Sequence, residues 1–401
     1  VQLNEHHHYV FLFQLLNENI KFVTYTNKPI NHLMATDYQF SRRGFIRTGA
    51  IGVGALALTP ALSALALNKP GKKLGIAIVG LGMYAGGQIA PALQHTQNCY
   101  LAGLVSGHPE KAAEWAVKYN VPAKNIYNYQ NFDSIAKNPD IDIVYVILPV
   151  ALHKEYTIRA AKAGKHVICE KPMSLSVKDC EEMVAACKKA NRLLSIGYRM
   201  HFEPYTAELI RISRKQVYGK LTGFECDNGF FYQQDPNAWR LKKALAGGGS
   251  LMDMGIYTIQ SARYTTGMEP IAVRSARQEK TNPVLFKEVD DKVFWELEFP
   301  NGFIAHCKSS YSDEVSRTHA EFEKGNVDLN PNFFYGGIKG TTPAGKMNFP
   351  QVNQQALQID DFANCVNLNK ESSVDGAEGI RDMKVVEAIY RSLASGKREL
   401  V

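Results

Sequence analysis

From Leu74 onward, short apolar runs alternate with stretches whose apolar residues recur at helical spacing. Leu74–Val79, Leu101–Val105, Ile143–Leu148, His166–Cys169 and Leu193–Ile196 read as buried strands. Between them, helical periodicity runs through Ile89, Ala90 and Leu93, over Pro109–Tyr119, near Leu152–Lys162 and over Val177–Lys189. Continuous apolar strands separated by helices predict a parallel sheet covered on both faces. After about Tyr198 the texture changes. Strand candidates Leu221–Asn228, Ile271–Ala276, Val293–Phe299 and Phe303–Ser309 crowd together, and Pro300-Asn301-Gly302 marks a hairpin turn between the last two. These predict a second, antiparallel domain, closed by helices at Gln355–Asn367 and Ala377–Ser395 that pack back near the first domain.

The expected fold is therefore α/β: a doubly wound parallel sheet over 74–197, then an α+β domain with an open, mostly antiparallel sheet over 198–401. A chain of 401 residues accommodates both. With 46 Lys+Arg against 39 Asp+Glu, the net charge of +7 is too dispersed to form a phosphate-binding stripe, which argues against nucleic acid as a partner. The seven cysteines form no CxxC pair or ligand-spaced cluster and read as small buried hydrophobes. His108, His153, His166, His201, His306 and His319 make no HxxxH pair, so no metal site is expected.

The N-terminal region reads as an address. Arg42-Arg43 precede a Gly/Ala-rich apolar run from Thr48 to about Leu67, and Ala64-Leu65-Ala66 supplies small residues for cleavage. A twin-arginine pair, an apolar region and an A-x-A site in that order resemble a Tat signal, which implies the Tat machinery as a partner and a periplasmic destination. Pro60 and the glycines favour a cleaved signal over a stable membrane span. Met34 is the natural start of that signal. Residues 1–33 are accordingly expected to be a non-native or disordered leader, 34–66 the signal and 67–73 a short arm, and His6-His7-His8 is given no metal role.

Three motifs carry chemistry. Gly80-Leu81-Gly82-Met83-Tyr84-Ala85 is a GxGxxA between the first strand and its helix. There Gly80 permits the tight turn, Gly82 lets a pyrophosphate approach the backbone, and Ala85 allows close helix–strand packing. The second strand ends in Ser106, not in the acid that usually binds an NAD ribose, and Lys111 follows; a hydroxyl and a lysine suit the 2′-phosphate of NADP better than NAD. Cys169-Glu170-Lys171-Pro172 sits at the C-terminal end of a strand, where open α/β sheets bind ligands. In the third motif, Gly247-Gly248-Gly249-Ser250-Leu251-Met252-Asp253-Met254-Gly255-Ile256-Tyr257, flexible glycines lead into a helix that puts Asp253 and Tyr257 on one face. A tyrosine beside a lysine is a plausible general acid/base for a sugar hydroxyl, because a cationic neighbour favours the phenolate.

Together GLGMYA at 80–85, EKPM at 170–173, SIGYR at 195–199, Trp239-Arg240-Leu241 and GGGSLMDMGIY at 247–257 resemble the glucose–fructose oxidoreductase branch of the Gfo/Idh/MocA family. The resemblance runs from about residue 74 to the C-terminus. It implies a Rossmann domain and an open-sheet domain with a sugar between them, and cofactor contacts at Gly80, Gly82, Tyr84, Ser106, Lys111 and Tyr129, with Glu170 and Lys171 at the nicotinamide end. Lys171 and Tyr257 take the family's catalytic positions, Asp253 lies beside the acid/base, and Arg199 and Arg240 are implied substrate contacts. Tyr257 is histidine in many relatives. An exported protein with tightly bound NADP also matches the branch, as does a homo-oligomer, dimer or tetramer. Two departures stand out: Val150 replaces the Asn common after Pro149, and the subunit-embracing arm shrinks to Leu67–Lys73. The reading is an NADP-dependent sugar oxidoreductase that oxidises an aldose to its lactone and passes the hydride to a second carbonyl sugar. A simple dehydrogenase with exchangeable cofactor, an NAD-dependent glycosidase and a non-catalytic sugar- or cofactor-binding protein remain open.

Overall fold

The computed structural model describes residues 72–401 except Gln234. The 1–33 leader, the twin-arginine signal and all but the last two residues of the 67–73 arm lie outside the described residues. The first sheet contains β1 (Leu74–Val79), β2 (Cys99–Val105), β3 (Ile126–Tyr127), β4 (Ile143–Val146), β5 (His166–Cys169) and β6 (Leu194–Ile196), in the order β3-β2-β1-β4-β5-β6. All its pairings are parallel. Period-two alternation divides each strand between two cores. Ile76, Ile78, Leu104 and Tyr145 face one side, and Ala77, Val79, Val105 and Val146 face the other. A sheet buried on both faces needs helices on both, which is why its strands are nearly all apolar, with His166 and Ser195 the exceptions.

A π-helical turn, Ala85–Ile89, runs into α1 (Ala90–Leu93); α2 (Pro109–Tyr119), α3 (His153–Lys162) and α4 (Val177–Lys189) complete the alternation. Four of these boundaries (β1, α2, β5 and α4) fall where the hydrophobic pattern puts them. The two-residue β3 was not foreseen, being too short to leave a periodic signal. The strand order reverses between β1 and β4, which opens a crevice beyond their C-terminal ends, the usual ligand site of such sheets.

The second sheet contains β7 (Leu221–Gly229), β8 (Ala272–Glu279), β9 (Lys292–Glu298), β10 (Ile304–Ser310), β11 (Val315–Phe322), β12 (Gly325–Leu329), β13 (Gly340–Thr342), β14 (Gly345–Lys346) and β15 (Glu399–Leu400). Its order is β14-β13-β12-β11-β7-β10-β9-β8-β15. The sheet is antiparallel except for β7 and β10, which pair in parallel and place Cys226 beside Cys307. Gly302, at φ +80°, closes the β9–β10 hairpin. β11 escapes the hydrophobic pattern because Arg317, His319 and Glu321 alternate with its buried positions; pairing to β7 and β12 on either side secures it.

Helices α5 (Pro204–Arg214), α6 (Lys243–Ala246) and α7 (Ile256–Thr266) precede β8, and α8 (Gln354–Leu368) and α9 (Gly376–Ser395) precede β15. Helix α7 is buried nearly all round. Its Arg263 side chain is almost fully buried and is balanced by Asp382 and Glu378 of α9 and by Glu269 at 2.7 Å. Helix α8 lies on the first sheet: Asp360 accepts from the Gln97 and Asn98 amides, and Gln358 Nε2 donates to the Tyr145 hydroxyl at 3.0 Å. The seven cysteines are all buried free thiols. Among the described residues no helix is long and apolar enough to cross a membrane.

Candidate active site

The first turn after β1 leads into a cleft of ≈ 430 Å³. Gly80 has φ +92°, and a Cβ there would lie 2.3 Å from the Ile147 carbonyl oxygen, so the turn accepts only glycine. Gly82 differs: a Cβ there would meet nothing within 4 Å. Neither crowding nor strain from the protein itself demands a glycine at 82, and the open space in front of its backbone suits a dinucleotide's pyrophosphate. Ala85 is fully buried where the π-helical turn packs onto the sheet. Tyr84 lines the cleft, and its ring centroid lies 6.1 Å from that of Tyr335.

At one end of the cleft Ser106, Lys111 and Tyr129 come together. The Ser106 Oγ accepts from the His108 amide at 3.0 Å, which leaves its own proton free to donate. Lys111, in the first turn of α2, pairs with no acid among the described residues. The Tyr129 ring packs edge-on against Tyr156 at 5.5 Å and closes over Gly107, where a Cβ would stand 3.0 Å from it. A donor hydroxyl, an ammonium without an acidic partner among the described residues and an aromatic wall suit the adenine-ribose end of a dinucleotide.

The other end is built around Lys171. It follows β5, and its Nζ donates to the Asp253 backbone oxygen at 2.7 Å and to Asp253 Oδ1 at 3.1 Å, while lying 4.6 Å from the Tyr257 ring centroid. An ammonium has three protons, so one remains for the cleft. Burial works against the Lys171 charge, but the oxygens of Tyr257, Asp253 and Glu170 hold its pKa above the ordinary lysine value. Burial likewise works against the Asp253 carboxylate, but Lys171 and Arg240 outweigh it and hold the group at about 2. Both oxygens of Asp253 are engaged within the protein: Oδ2 accepts from the Tyr311 hydroxyl at 3.1 Å and faces Arg240 Nε at 3.4 Å. Glu170 is buried, accepts from the Tyr145 hydroxyl at 2.7 Å and the Lys171 amide at 3.2 Å, and burial raises its pKa.

The glycine run is required by close packing, which corrects its reading as a flexible lead-in. A Cβ on Gly248 would lie 1.8 Å from the Tyr390 hydroxyl, and one on Gly249 would lie 1.9 Å from the Asp290 carbonyl oxygen. Asp290 then fastens the turn by accepting from the Gly249 and Leu251 amides at 2.9 and 2.8 Å. A π-helical turn, Leu251–Gly255, follows and runs into α7, so that Asp253 and Tyr257 both reach Lys171.

The sequence-derived residues do not all occupy the cleft. Gly80, Gly82, Tyr84, Ser106, Lys111, Tyr129, Glu170, Lys171, Arg240, Asp253 and Tyr257 line it. Arg199 does not. It is buried behind Tyr257, its Cζ 5.0 Å from that ring and 4.5 Å from the Tyr335 ring. Its terminal nitrogens donate to the Phe333 and Phe334 carbonyls at 2.5 and 3.2 Å and to Gln354, while Nε has no partner among the described residues. The structure thus sets this expected substrate contact behind the cleft wall, with its terminal nitrogens turned into the protein. Val150 contributes an apolar stretch of the cleft wall. Sequence reasoning missed Tyr311 and Tyr335. Each is an aromatic at a strand end or in a loop, and in Phe333-Phe334-Tyr335-Gly336-Gly337 the aromatic–glycine cluster is the available signal.

Comparison with known proteins agrees with this geometry. Residues 74–198 match the model of an oxidoreductase family with an NAD-binding Rossmann fold, and residues 206–327 match the GFO/IDH/MocA C-terminal domain. The crystal structure of an aldose-aldose oxidoreductase from Caulobacter crescentus, complexed with glycerol, is 44% identical. It superposes with a TM-score of 0.79 over 82% of this chain and 100% of that one. The D-xylose 1-dehydrogenase [NADP(+)] of Haloarcula marismortui is 29% identical over 331 residues, 79% of this chain and 90% of that protein. A levoglucosan dehydrogenase in complex with NADH and levoglucosan shares the fold at 22% identity, with a TM-score of 0.70 over 82% of this chain and 99% of that one. A glycine turn open to a dinucleotide, a lysine held between an aspartate and a tyrosine, and two family models matched in succession lead to one assignment: the chain is an oxidoreductase of the Gfo/Idh/MocA family.

Proposed function

We propose that this protein is an exported, NADP-dependent sugar oxidoreductase that converts an aldose to its lactone and transfers the hydride, through NADP retained in the cleft, to a second carbonyl sugar. The observation that carries the reading is Lys171, which touches Asp253 and Tyr257 at once on the floor of a cleft whose other end begins at the Gly80–Gly82 turn. The similarity to an aldose-aldose oxidoreductase supports sugars as both donor and acceptor. The free Ser106 donor and the unpaired Lys111 support NADP, and the Arg42-Arg43 pattern supports a periplasmic destination.

NADP, when bound, supplies a hydride acceptor and, once reduced, a hydride donor. The chain's own residues handle the proton. Tyr257 takes the proton from the C1 hydroxyl as C1 loses its hydride, and returns it to the carbonyl oxygen of the acceptor sugar in the second half. The remaining Lys171 proton holds the reacting oxygen, and Asp253 fixes the ammonium in place. A hydride and a proton, two electrons and two protons in all, leave the first sugar, and all of them arrive on the carbonyl of the second. A dehydrogenase with exchangeable cofactor is the second reading, supported by the similarity to an NADP-dependent xylose dehydrogenase.

The test is Tyr257→Phe. Sugar oxidation should fall by about 10²–10⁴-fold, the usual worth of a positioned acid/base, with NADP affinity unchanged. Oxidation at a near-native rate in that variant removes Tyr257 from the role.

A further inference from the structure

Arg199 opens the short helical turn Arg199–Phe202 that follows β6, and only 2% of it is exposed. Nη1 donates to the Phe334 carbonyl at 3.2 Å and to Gln354, and Nη2 donates to the Phe333 carbonyl at 2.5 Å. These acceptors are themselves fastened: the Phe333 amide donates to Ser316 Oγ at 2.8 Å, and Gln354 Nε2 donates to the Phe334 carbonyl at 3.1 Å. None of them is charged. Nε has no partner, and no carboxylate is bonded to the guanidinium among the described residues. Arg263, similarly buried, is balanced by three carboxylates.

An arginine keeps its proton inside a protein, so this charge persists in the interior, where an unpaired one is costly. What stands in front of it is Tyr257. Arg199 Cζ lies 5.0 Å and Lys171 Nζ 4.6 Å from the ring centroid of that buried tyrosine. The two cations differ in one respect: Asp253 neutralises Lys171, whereas no acid is bonded to Arg199. Burial works against the Arg199 charge, yet the oxygens of Tyr257, Tyr84 and Tyr335 hold its pKa above the ordinary arginine value. We infer that Arg199 is a positioning residue for proton transfer: from behind the cleft wall its unbalanced charge favours the Tyr257 phenolate that accepts the C1 hydroxyl proton. Arg199 does not line the cleft, so it acts through Tyr257 and not on the sugar. Its neutral acceptors fix the guanidinium without cancelling its charge, and a preorganised cation in a dry site acts strongly on a charge that develops beside it. The inference rests on Tyr257 as the acid/base of the proposed reaction and adds a residue to it.

Other groups also bear on this phenol. Lys171, Asp253, Tyr84 and Tyr335 surround Tyr257, Glu170 and Arg240 lie beside Lys171 and Asp253, and Glu203 lies toward Arg199. Lys171 and Asp253 stay charged near neutrality, and burial pushes Glu170, Glu203, Tyr84 and Tyr335 up. The experiment follows oxidation of D-xylose by the NADP-loaded protein from about pH 6 to pH 10, read as first-turnover reduction of the bound nucleotide. Oxidation needs the phenolate, so its rate rises with pH and levels off. Removing a cation disfavours the phenolate and moves that rise to higher pH. Arg199→Gln and Arg199→Met should raise the half-maximal pH by about one unit and lower the rate at neutral pH about tenfold, and Arg199→Lys should recover most of both. Either uncharged variant suffices if the other does not fold, and melting temperatures decide between them. Gln354→Leu removes a bond from the same loop but leaves the charge, and should not move the half-maximal pH. In a protein that already carries Tyr257→Phe, Arg199→Gln should cost nothing further, because residues that act as a unit do not add. An unmoved profile, an equal shift in Gln354→Leu, or a full additional loss on top of Tyr257→Phe overturns the inference and leaves Arg199 a support for the loop. Near-native oxidation by Tyr257→Phe alone overturns the acid/base role of Tyr257, a separate result.

Discussion

Lys171 Nζ donates to both the backbone oxygen and the carboxylate of Asp253, so one aspartate fixes the ammonium by two bonds and neutralises it at the same time. The lysine comes from the loop after β5 and the aspartate from the turn before α7. The pair therefore ties the two domains together at the point where chemistry is proposed.

That pairing makes stability depend on pH in a defined direction. Asp253 titrates at about 2 in the folded protein against an ordinary value of 3.8. A lowered folded value means the stabilisation is complete above the unfolded pKa and is lost as pH falls through the folded one. The contribution is about 2 kcal/mol. The gap in urea-unfolding free energy between the wild type and Asp253→Asn should be constant near neutrality and narrow as pH drops below about 4. A gap that stays constant down to the acid limit contradicts the assignment.

The glycines separate packing from ligand binding. Gly248→Ala drives a methyl group into the Tyr390 hydroxyl and should lower the melting temperature steeply. Gly82→Ala meets no protein atom within 4 Å and should melt within about 2 °C of the wild type, while dinucleotide affinity falls about tenfold or more. Melting curves with and without NADP read both effects. A Gly82→Ala protein that binds NADP normally would mean that the pyrophosphate does not pass there.

Cofactor choice is tested at Lys111. With Ser106 donating and no acid at the end of β2, Lys111→Ala should weaken NADP about tenfold and leave NAD nearly unchanged. Fluorescence titration with both reduced nucleotides measures the ratio. Equal losses for the two place Lys111 away from the 2′-phosphate.

Much of this architecture was legible in the chain because its signals are local. The strand runs of the first sheet, the GxGxxA turn and the Lys171 and Asp253–Tyr257 motifs each depend on residues within one turn or strand. What escaped depends on distant partners. β11 is held by neighbours on both sides despite its charged alternation, and β7 and β10 pair in parallel through a long crossover. The surroundings of Arg199 were hidden for the same reason. An arginine after a strand gives no sign of which way its donors point, and here the carbonyls of Phe333 and Phe334, more than 130 residues away in sequence, turn it inward. Tyr335 was invisible until that loop was folded over the cleft.

The central claim is that one retained nucleotide shuttles hydride between two sugars. The direct measurement is the absorbance of the purified full chain at about 340 nm, without added nucleotide, before and after D-glucose and then after fructose. The account predicts a bound chromophore that rises with the first sugar and falls with the second. Absence of bound nucleotide, or a rise that no carbonyl sugar reverses, contradicts internal redox cycling and favours a dehydrogenase with exchangeable cofactor.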